Sequence, residues 1–201
     1  EKYKCQKFEL KQSLSIDSEK LIILSACKLI PRKRVIDLLK AYEELPSRVR
    51  TLLVIVGDGN QKQDLEEYVK TRGLYGVSFV GFKNQLEIVK YYAIADIFVL
   101  PSVGEPWGLV INEAMNFGLP IVATDKVGSA YDLIKEGENG FIYPAKDVNA
   151  LSLIIEKFIN DRQLIQKMGS MSRDIIKKWS YDADIETLIS ILRSKGEEPY
   201  V

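Results

Sequence analysis

Two glutamates in the middle of the chain, Glu105 and Glu113, are separated by seven residues and flank the start of a predicted short helix. Gly108 lies between them, where that helix begins. A helix N-terminus offers free backbone N–H groups and the positive end of the helix dipole, and a glycine lets an anion approach the backbone closely. Carboxylates accept hydrogen bonds from hydroxyl groups. The pattern therefore indicates a ligand with both phosphates and hydroxyls, which describes a sugar nucleotide.

The residues around this pair predict the elements that hold it. Ile97–Leu100 is a short apolar run of the kind found in a parallel strand buried on both faces. The helix begins at Leu109, and Gly118 followed by Pro120 is a stop signal because proline cannot continue a helix. Pro120 then opens the next predicted strand. The glutamates are therefore expected at the carboxyl end of a strand and in the helix that follows it.

The rest of the chain repeats this alternation of strand and helix. Six apolar runs predict strands: Leu21–Ala26, Leu52–Val56, Val77–Val80, Ile97–Leu100, Pro120–Ala123 and Phe141–Tyr143. Besides the helix at Leu109, amphipathic segments predict helices at Phe8–Leu14, Val35–Glu44, Gln61–Arg72, Gln85–Ala95, Asp147–Ile159, Asp161–Lys178 and Tyr181–Arg193. The pattern predicts an α/β protein: a Rossmann-like, doubly wound parallel sheet of about six strands, with helices on both faces and further helices at the C-terminus.

Composition excludes several kinds of site. The 201 residues contain no histidine, so no histidine-based metal site, triad or general base can come from this chain. Lys and Arg together number 28 and balance 28 Asp and Glu, which gives no reason to expect a nucleic-acid partner. No apolar run approaches the roughly 20 residues of a membrane helix. The two cysteines, Cys5 and Cys27, are expected to be free thiols, which predicts a cytoplasmic location. A peripheral position of the full-length protein at the inner membrane face is compatible with this prediction.

The central segment resembles a known signature. Its spacing is similar to the E-x7-E motif of retaining group 1 glycosyltransferases of the GT-B fold, carried here by Pro101-Ser102, Glu105, Gly108-Leu109, Glu113-Ala114, Gly118 and Pro120. The resemblance covers nearly the whole chain and also includes Gly57-Asp58-Gly59, Gly81, Asp96, Gly128, Asn139-Gly140 and Trp179. It implies that residues 1–201 form a single Rossmann-like, C-terminal donor-binding domain of a two-domain enzyme, whose N-terminal acceptor domain is absent from this sequence.

The resemblance also implies catalytic roles for three residues. Lys28 and Lys33 would neutralise the donor diphosphate as it leaves, although the family has an arginine where this chain has Lys28, so bidentate geometry is lost. Glu105 would face the donor sugar. Lys33 belongs to a run of three cations at a predicted helix start, where they oppose the helix dipole unless an anion compensates. A bound diphosphate is the expected compensating anion.

Further residues are expected to bind the donor without taking part in chemistry. The resemblance places the phosphates at the helix N-terminus and the ribose at Glu113. It places the Gly-Asp-Gly turn near the ribose and the diphosphate. The base would contact the backbone near Phe82, and the donor sugar would meet Gly128. The full substrate-binding set is Gly57, Asp58, Phe82, Lys83, Gly108, Leu109, Val110, Glu113 and Gly128. No cofactor or metal is expected, because enzymes of this kind use protein cations in place of a metal.

Other functions stay open at this point. A non-catalytic sugar-nucleotide-binding subunit would tolerate the departure from the family pattern at Lys28. A GT-B-like epimerase or phosphorylase would share the fold, but no cofactor lysine of a phosphorylase is identified. A dehydrogenase is disfavoured because no Gly-x-Gly-x-x-Gly follows the first strand. The expected partners are a sugar nucleotide and, through the missing N-terminal domain, a sugar, lipid-linked glycan or other acceptor.

Overall fold

One parallel sheet organises the protein. The computed structural model describes residues 11–12, 17, 19–179, 185 and 189–191. In these residues the six strands are arranged in the order β3-β2-β1-β4-β5-β6, and each is parallel to its neighbours. Their bounds are β1 (Leu21–Ala26), β2 (Thr51–Val56), β3 (Val77–Gly81), β4 (Ile97–Leu100), β5 (Ile121–Thr124) and β6 (Gly140–Tyr143). The predicted α/β class and Rossmann-like sheet are confirmed.

Helices connect the strands and extend the chain beyond the last one. They are α1 (Val35–Glu44), α2 (Lys62–Thr71), α3 (Gln85–Ile94), α4 (Leu109–Asn116), α5 (Ala130–Leu133), α6 (Val148–Asn160) and α7 (Arg162–Ile176). The single-turn helix α5 was not predicted. The helices predicted at Phe8–Leu14 and Tyr181–Arg193 lie largely outside the described residues.

The sheet is buried on both faces. Within β1, Ile22 and Leu24 belong to one hydrophobic cluster, while Leu21 and Ile23 belong to the other. Alternate residues of a strand point to opposite faces, so a strand covered on both sides has apolar residues throughout. The first cluster includes residues of α3 and α4, and the second includes residues of α1 and α6. This explains why the strands were visible as continuous apolar runs.

The strands are added to the sheet in opposite directions on the two sides of the β1–β4 pair: β2 and β3 extend it beyond β1, and β5 and β6 extend it beyond β4. The register of β1 with β4 is short, with Ile23 opposite Ile97 and Leu24 opposite Phe98. In an open parallel sheet, the loops that follow two such strands diverge and leave a crevice at their carboxyl ends. At the amino ends of the same two strands, Asp96 Oδ2 accepts a 2.8 Å hydrogen bond from the N–H of Ile22. This bond joins the residue before β4 to β1. The fold therefore places its crevice where the candidate residues follow the strands.

Candidate functional site

A cavity of about 540 Å³ opens at the carboxyl ends of β1 and β2. Its walls come from the loops after β1, β2 and β3 and from helices α3 and α4. They comprise Ala26, Cys27, Lys28, Val56, Gly57, Asp58, Gly59, Phe82, Lys83, Ile88 and Val110. Six residues of the predicted site, from four different loops or helices, therefore line one cavity.

The Gly-Asp-Gly turn after β2 packs directly on the loop after β1. A Cβ atom on Gly57 would lie 1.9 Å from the carbonyl oxygen of Cys27, so only glycine fits there. The N–H of Leu29 donates a 2.8 Å hydrogen bond to the carbonyl oxygen of Asp58. The exposed Asp58 carboxylate accepts from the N–H of Gly59 at 2.7 Å and from Lys62 at 3.2 Å, and these contacts lower its pKa. The turn thus presents a carboxylate that stays ionised at the cavity wall.

The three consecutive cations after β1 each have a partner within the protein. Arg32 Nη1 donates to the carbonyl oxygen of Gly104 at 2.9 Å, and Arg34 makes a bidentate pair with Asp37 at 2.7 and 2.6 Å. Lys33 forms an ion pair with Glu105. The chain itself therefore supplies a carboxylate for two of these cations and a backbone carbonyl for the third. That a bound diphosphate also compensates them stays a prediction.

The Lys33–Glu105 pair is largely removed from solvent. The two side chains are 11% and 12% exposed. Burial lowers the pKa of the Lys33 ammonium, while nearby Cys27 raises it and Arg32 lowers it. Lys28, in contrast, is exposed at the cavity wall. The two lysines predicted to share a diphosphate thus stand in different environments, one open to a ligand and one engaged by a carboxylate.

The loop that carries Glu105 is fixed by the loop after β5. The N–H of Gly128 donates to the carbonyl oxygen of Glu105 at 2.8 Å, and Ser129 Oγ donates to the carbonyl oxygen of Trp107 at 2.6 Å. A Cβ atom on Gly128 would lie 1.9 Å from the carbonyl oxygen of Pro106. Gly128 therefore has a packing requirement of its own: it allows the two loops to touch, and so holds Glu105 in place.

Helix α4 begins at the cavity. Gly108 has a positive φ of 91° and precedes the first helical residue without any side-chain cap. The left-handed backbone conformation favours glycine at this position. Leu109 is 68% exposed and Val110 borders the cavity. The first amide groups of α4 therefore have no side-chain partner from the capping position. Binding of an anion there stays a prediction.

Glu113 lies one turn along the same helix and is held by a buried tyrosine of α3 that the sequence analysis did not place in the site. The hydroxyl of Tyr92 donates a 2.6 Å hydrogen bond to Glu113 Oε2. Tyr92 is buried in α3 and stacks on Phe117, with ring centroids 5.6 Å apart. Burial and the neighbouring carboxylate raise the pKa of Tyr92, so its hydroxyl remains a donor. No sequence pattern gave the register of α3 against α4.

Cys27 is a second residue that the sequence analysis did not place in the site. It follows β1 directly, and its half-buried thiol forms part of the cavity wall. Burial raises the pKa of this thiol to about 11, although Lys33 and Ser25 act in the opposite direction. Its position immediately after a buried strand was the signal that could have located it.

The part of the chain that the structure describes contains neither a metal-binding cluster nor a membrane-spanning helix. Among the described residues, no group of three or more His, Cys, Asp or Glu side chains is arranged to hold a metal ion. In the same part of the chain, no helix combines the length and hydropathy needed to cross a membrane.

Comparison with known proteins identifies the family. Residues 6–175 match the family model described as "Glycosyl transferases group 1". The chain belongs to the group 1 glycosyltransferases. The resemblance seen in the E-x7-E segment is thereby confirmed at the level of family, and the sheet is the Rossmann-like unit expected for the GT-B fold.

Curated relatives of this group 1 glycosyltransferase chain are longer than the chain itself. It is 30% identical to the alpha-D-kanosaminyltransferase of Streptomyces kanamyceticus over 191 residues, which is 94% of this chain and 49% of that protein. It is 29% identical to a glycosyltransferase of Methanocaldococcus jannaschii over 193 residues, which is 94% of this chain and 48% of that protein. The chain thus spans about half the length of both relatives.

Two solved structures superimpose on nearly the whole chain. Sucrose-phosphate synthase from Thermosynechococcus elongatus gives a TM-score of 0.81 at 26% identity, covering 93% of this chain and 48% of that one. HepE from Anabaena, solved in complex with UDP and glucose, gives a TM-score of 0.81 at 26% identity, covering 94% of this chain and 52% of that one. HepE has also been solved with UDP-glucose.

Proposed function

We propose that this chain binds the sugar-nucleotide donor of a two-domain glycosyltransferase that transfers the sugar with retention and without a metal ion. The observation that carries the proposal is one cavity at the sheet edge, where an exposed lysine, the Gly-Asp-Gly turn and the uncapped start of α4 meet. Family membership supports transfer as the reaction, and the binding of UDP and UDP-glucose by HepE supports a nucleoside diphosphate sugar as donor.

The diphosphate is assigned to two groups that complement its charge. Lys28 lies exposed at the cavity wall, and the start of α4 offers N–H groups with no side-chain cap. Lys33 joins them once its ammonium leaves Glu105. Cations placed at the leaving diphosphate stabilise the charge that develops as the bond to the sugar breaks, which is an electrostatic contribution to catalysis. This arrangement performs the task that a divalent metal performs in other enzymes.

The nucleoside and the sugar are assigned to the two ends of the same crevice. Glu113 accepts hydrogen bonds from the ribose hydroxyls, and backbone groups at Phe82 and Lys83 contact the base beside the cavity. Gly57 and Asp58 line the path between ribose and diphosphate. Glu105 faces the donor sugar and, with Gly128 behind its loop, is held at a fixed position. The acceptor is assigned to a second domain that this sequence does not include.

Ligand-induced stabilisation tests the proposal directly. UDP, ADP, GDP and their glucose conjugates are added to the purified protein, and thermal unfolding is followed. A ligand at 100 times its dissociation constant stabilises the fold by about 2.7 kcal/mol, which is readily measured as a shift in Tm. If none of the six ligands and no other sugar nucleotide raises the Tm, the assignment of this cavity fails.

A pair of matched variants locates the binding site. Glu113→Ala is expected to weaken every ligand that contains ribose and to leave inorganic pyrophosphate unaffected. Glu138→Ala makes the same change in the exposed turn before β6, at the other end of the sheet, and is expected to bind all ligands as the wild type does. Equal losses in both variants would show that the effect is not specific to the cavity.

A further inference from the structure

The Lys33–Glu105 ion pair joins two groups to which the proposed function gives separate tasks. Lys33 is assigned to the diphosphate and Glu105 to the sugar, yet in the structure the two side chains contact each other in a largely buried position. The charge of Lys33 is thus partly neutralised before any ligand arrives. A diphosphate that uses Lys33 must compete with Glu105 for it.

Backbone contacts keep the two partners close even when they separate. The N–H of Val103 donates to the carbonyl oxygen of Arg32 at 2.9 Å, and Arg32 Nη1 donates to the carbonyl oxygen of Gly104 at 2.9 Å. On the far side, the N–H of Glu105 donates to the carbonyl oxygen of Lys126 at 3.2 Å. Because both loops are tied, the pair opens by rotation of its side chains, and the released carboxylate stays in a poorly hydrated place.

A released carboxylate in such a place needs a new hydrogen-bond donor. Leaving a buried charge without a partner is strongly unfavourable, whereas exchanging one partner for another is not. A sugar nucleotide brings sugar hydroxyls that donate to Glu105. A nucleoside diphosphate without its sugar places no sugar hydroxyl at Glu105, since its ribose is assigned to Glu113, and its phosphate oxygens carry the same sign of charge as the carboxylate.

We propose that Glu105 is a specificity-determining residue that competes with the diphosphate for Lys33 and thereby favours the intact sugar nucleotide over the spent nucleoside diphosphate. The inference rests on the proposed function, because it takes Lys33 as a ligand of the diphosphate. Its consequence is that product nucleotide leaves readily: once the sugar is gone, the carboxylate reclaims the ammonium.

Isothermal calorimetry on the purified protein tests this competition. The probes are inorganic pyrophosphate, UDP, ADP and GDP, and the glucose conjugates of these nucleotides. Glu105→Gln keeps the side-chain size and removes its charge. We expect this variant to bind pyrophosphate, and whichever nucleoside diphosphate the wild type binds, about tenfold more tightly than the wild type does. A tenfold change corresponds to about 1.4 kcal/mol in binding free energy. The sugar conjugate is expected to gain less or to lose affinity, so the preference for donor over spent nucleotide falls.

Two further variants separate this effect from other causes. Glu138→Gln removes one negative charge at the opposite end of the sheet and is expected to leave every dissociation constant unchanged. Glu105→Asp keeps the charge and shortens the side chain, which weakens its contact with Lys33. It is expected to give an intermediate gain for pyrophosphate, and it replaces Glu105→Gln if that variant fails to fold.

The possible results distinguish the two proposals. If the wild type binds neither pyrophosphate nor any of the nucleotides, the proposed function fails and this inference fails with it. If the wild type binds them but Glu105→Gln binds pyrophosphate and nucleoside diphosphate no more tightly, the proposed function stands and the competition is refuted. Equal gains for diphosphate and sugar conjugate would also refute the role of Glu105 in telling them apart.

Discussion

The hydroxyl of Tyr92 donates a 2.6 Å hydrogen bond to Glu113 Oε2 and so connects a buried residue of α3 to an exposed residue of α4. The bond uses one carboxylate oxygen and leaves the other as an acceptor. It also restricts the rotamers of Glu113, since the donor is fixed by its stacking on Phe117. Tyr92 therefore positions a carboxylate that the proposed function assigns to ribose.

Removal of that hydroxyl is expected to weaken nucleotide binding more than it weakens the fold. In Tyr92→Phe, Glu113 gains rotational freedom, so the affinity for a nucleoside diphosphate should fall about three- to tenfold. The free energy of unfolding should fall by about 1 kcal/mol, the typical net value of one hydrogen bond. Calorimetry with the nucleotide and with inorganic pyrophosphate measures the difference, because pyrophosphate has no ribose and should bind unchanged.

Tyr91→Phe is the control for this change. Tyr91 is the adjacent tyrosine of α3, and its ring lies near the ammonium of Lys90 rather than at Glu113. We expect its nucleotide affinity to equal that of the wild type. If Tyr92→Phe weakens pyrophosphate and nucleotide equally, its role is structural and the positioning of Glu113 is not involved.

A side chain at Gly128 is expected to push the Glu105 loop away. In Gly128→Ala the new Cβ atom would lie 1.9 Å from the carbonyl oxygen of Pro106. We expect a loss of about 2 kcal/mol in the free energy of unfolding, within the range for overpacked sites, and a fall in Tm of about 5 °C. Gly104→Ala is the matched control, since a Cβ atom there meets nothing within 4 Å. Similar Tm losses in both variants would contradict the close-packing explanation.

The thiol of Cys27 is expected to report occupancy of the cavity. Burial favours its neutral form and raises its pKa to about 11, so only about a thousandth is thiolate at pH 8. In a Cys5→Ser background, the alkylation rate should rise about tenfold per pH unit from pH 8 to 10. A bound nucleoside diphosphate should slow labelling at every pH. A rate that levels off near pH 8.5, or no protection by a nucleotide that binds, would contradict the placement of Cys27.

Residues 1–201 alone are expected to bind donor and to transfer no sugar. The chain spans 48% and 49% of two curated relatives, and proximity of donor and acceptor contributes about 7–11 kcal/mol to such reactions. The proposed function assigns the acceptor to a second domain, so we expect residues 1–201 alone to leave the acceptor hydroxyl unoriented at the sugar. Turnover of sugar nucleotide with a panel of acceptors measures this, with the full-length protein assayed in parallel. Transfer by the chain at the full-length rate would place the acceptor site within these residues.

The elements were predictable where local chemistry decides them. Asn84, Asp147 and Asp161 are of residue types that favour helix N-caps, and the side chain of each accepts at least one hydrogen bond from a backbone N–H of the first turn. The strands were visible because burial on both faces makes them apolar throughout. The helix Ala130–Leu133 was missed because four residues are too few to show helical periodicity.

The composition of the crevice was also predictable, but its internal pairings were not. Strand ends in a parallel sheet share one edge, so the sequence was enough to bring Lys28, Asp58 and Val110 to the same cavity. The contact between Lys33 and Glu105 depends on how two loops distant in sequence lie against each other. The bond from Tyr92 to Glu113 depends on the rotation of two packed helices. Neither relation leaves a local pattern.

Strands β1 and β4 pair through only two residue positions of the described sheet, and this small contact affects the expected order of folding. Each of the other strand pairs joins strands that follow one another in the chain, whereas β2 and β3 lie between β1 and β4 in the sequence. Closing the longer loop costs more conformational entropy, and the gain is two residue pairs, Ile23 with Ile97 and Leu24 with Phe98. We expect each half of the sheet to assemble first and the halves to join last. Amide hydrogens along this junction should then exchange before those of β1 with β2. A bound nucleotide should slow them, because Val110 of α4, which follows β4, borders the same cavity as the loops after β1 and β2.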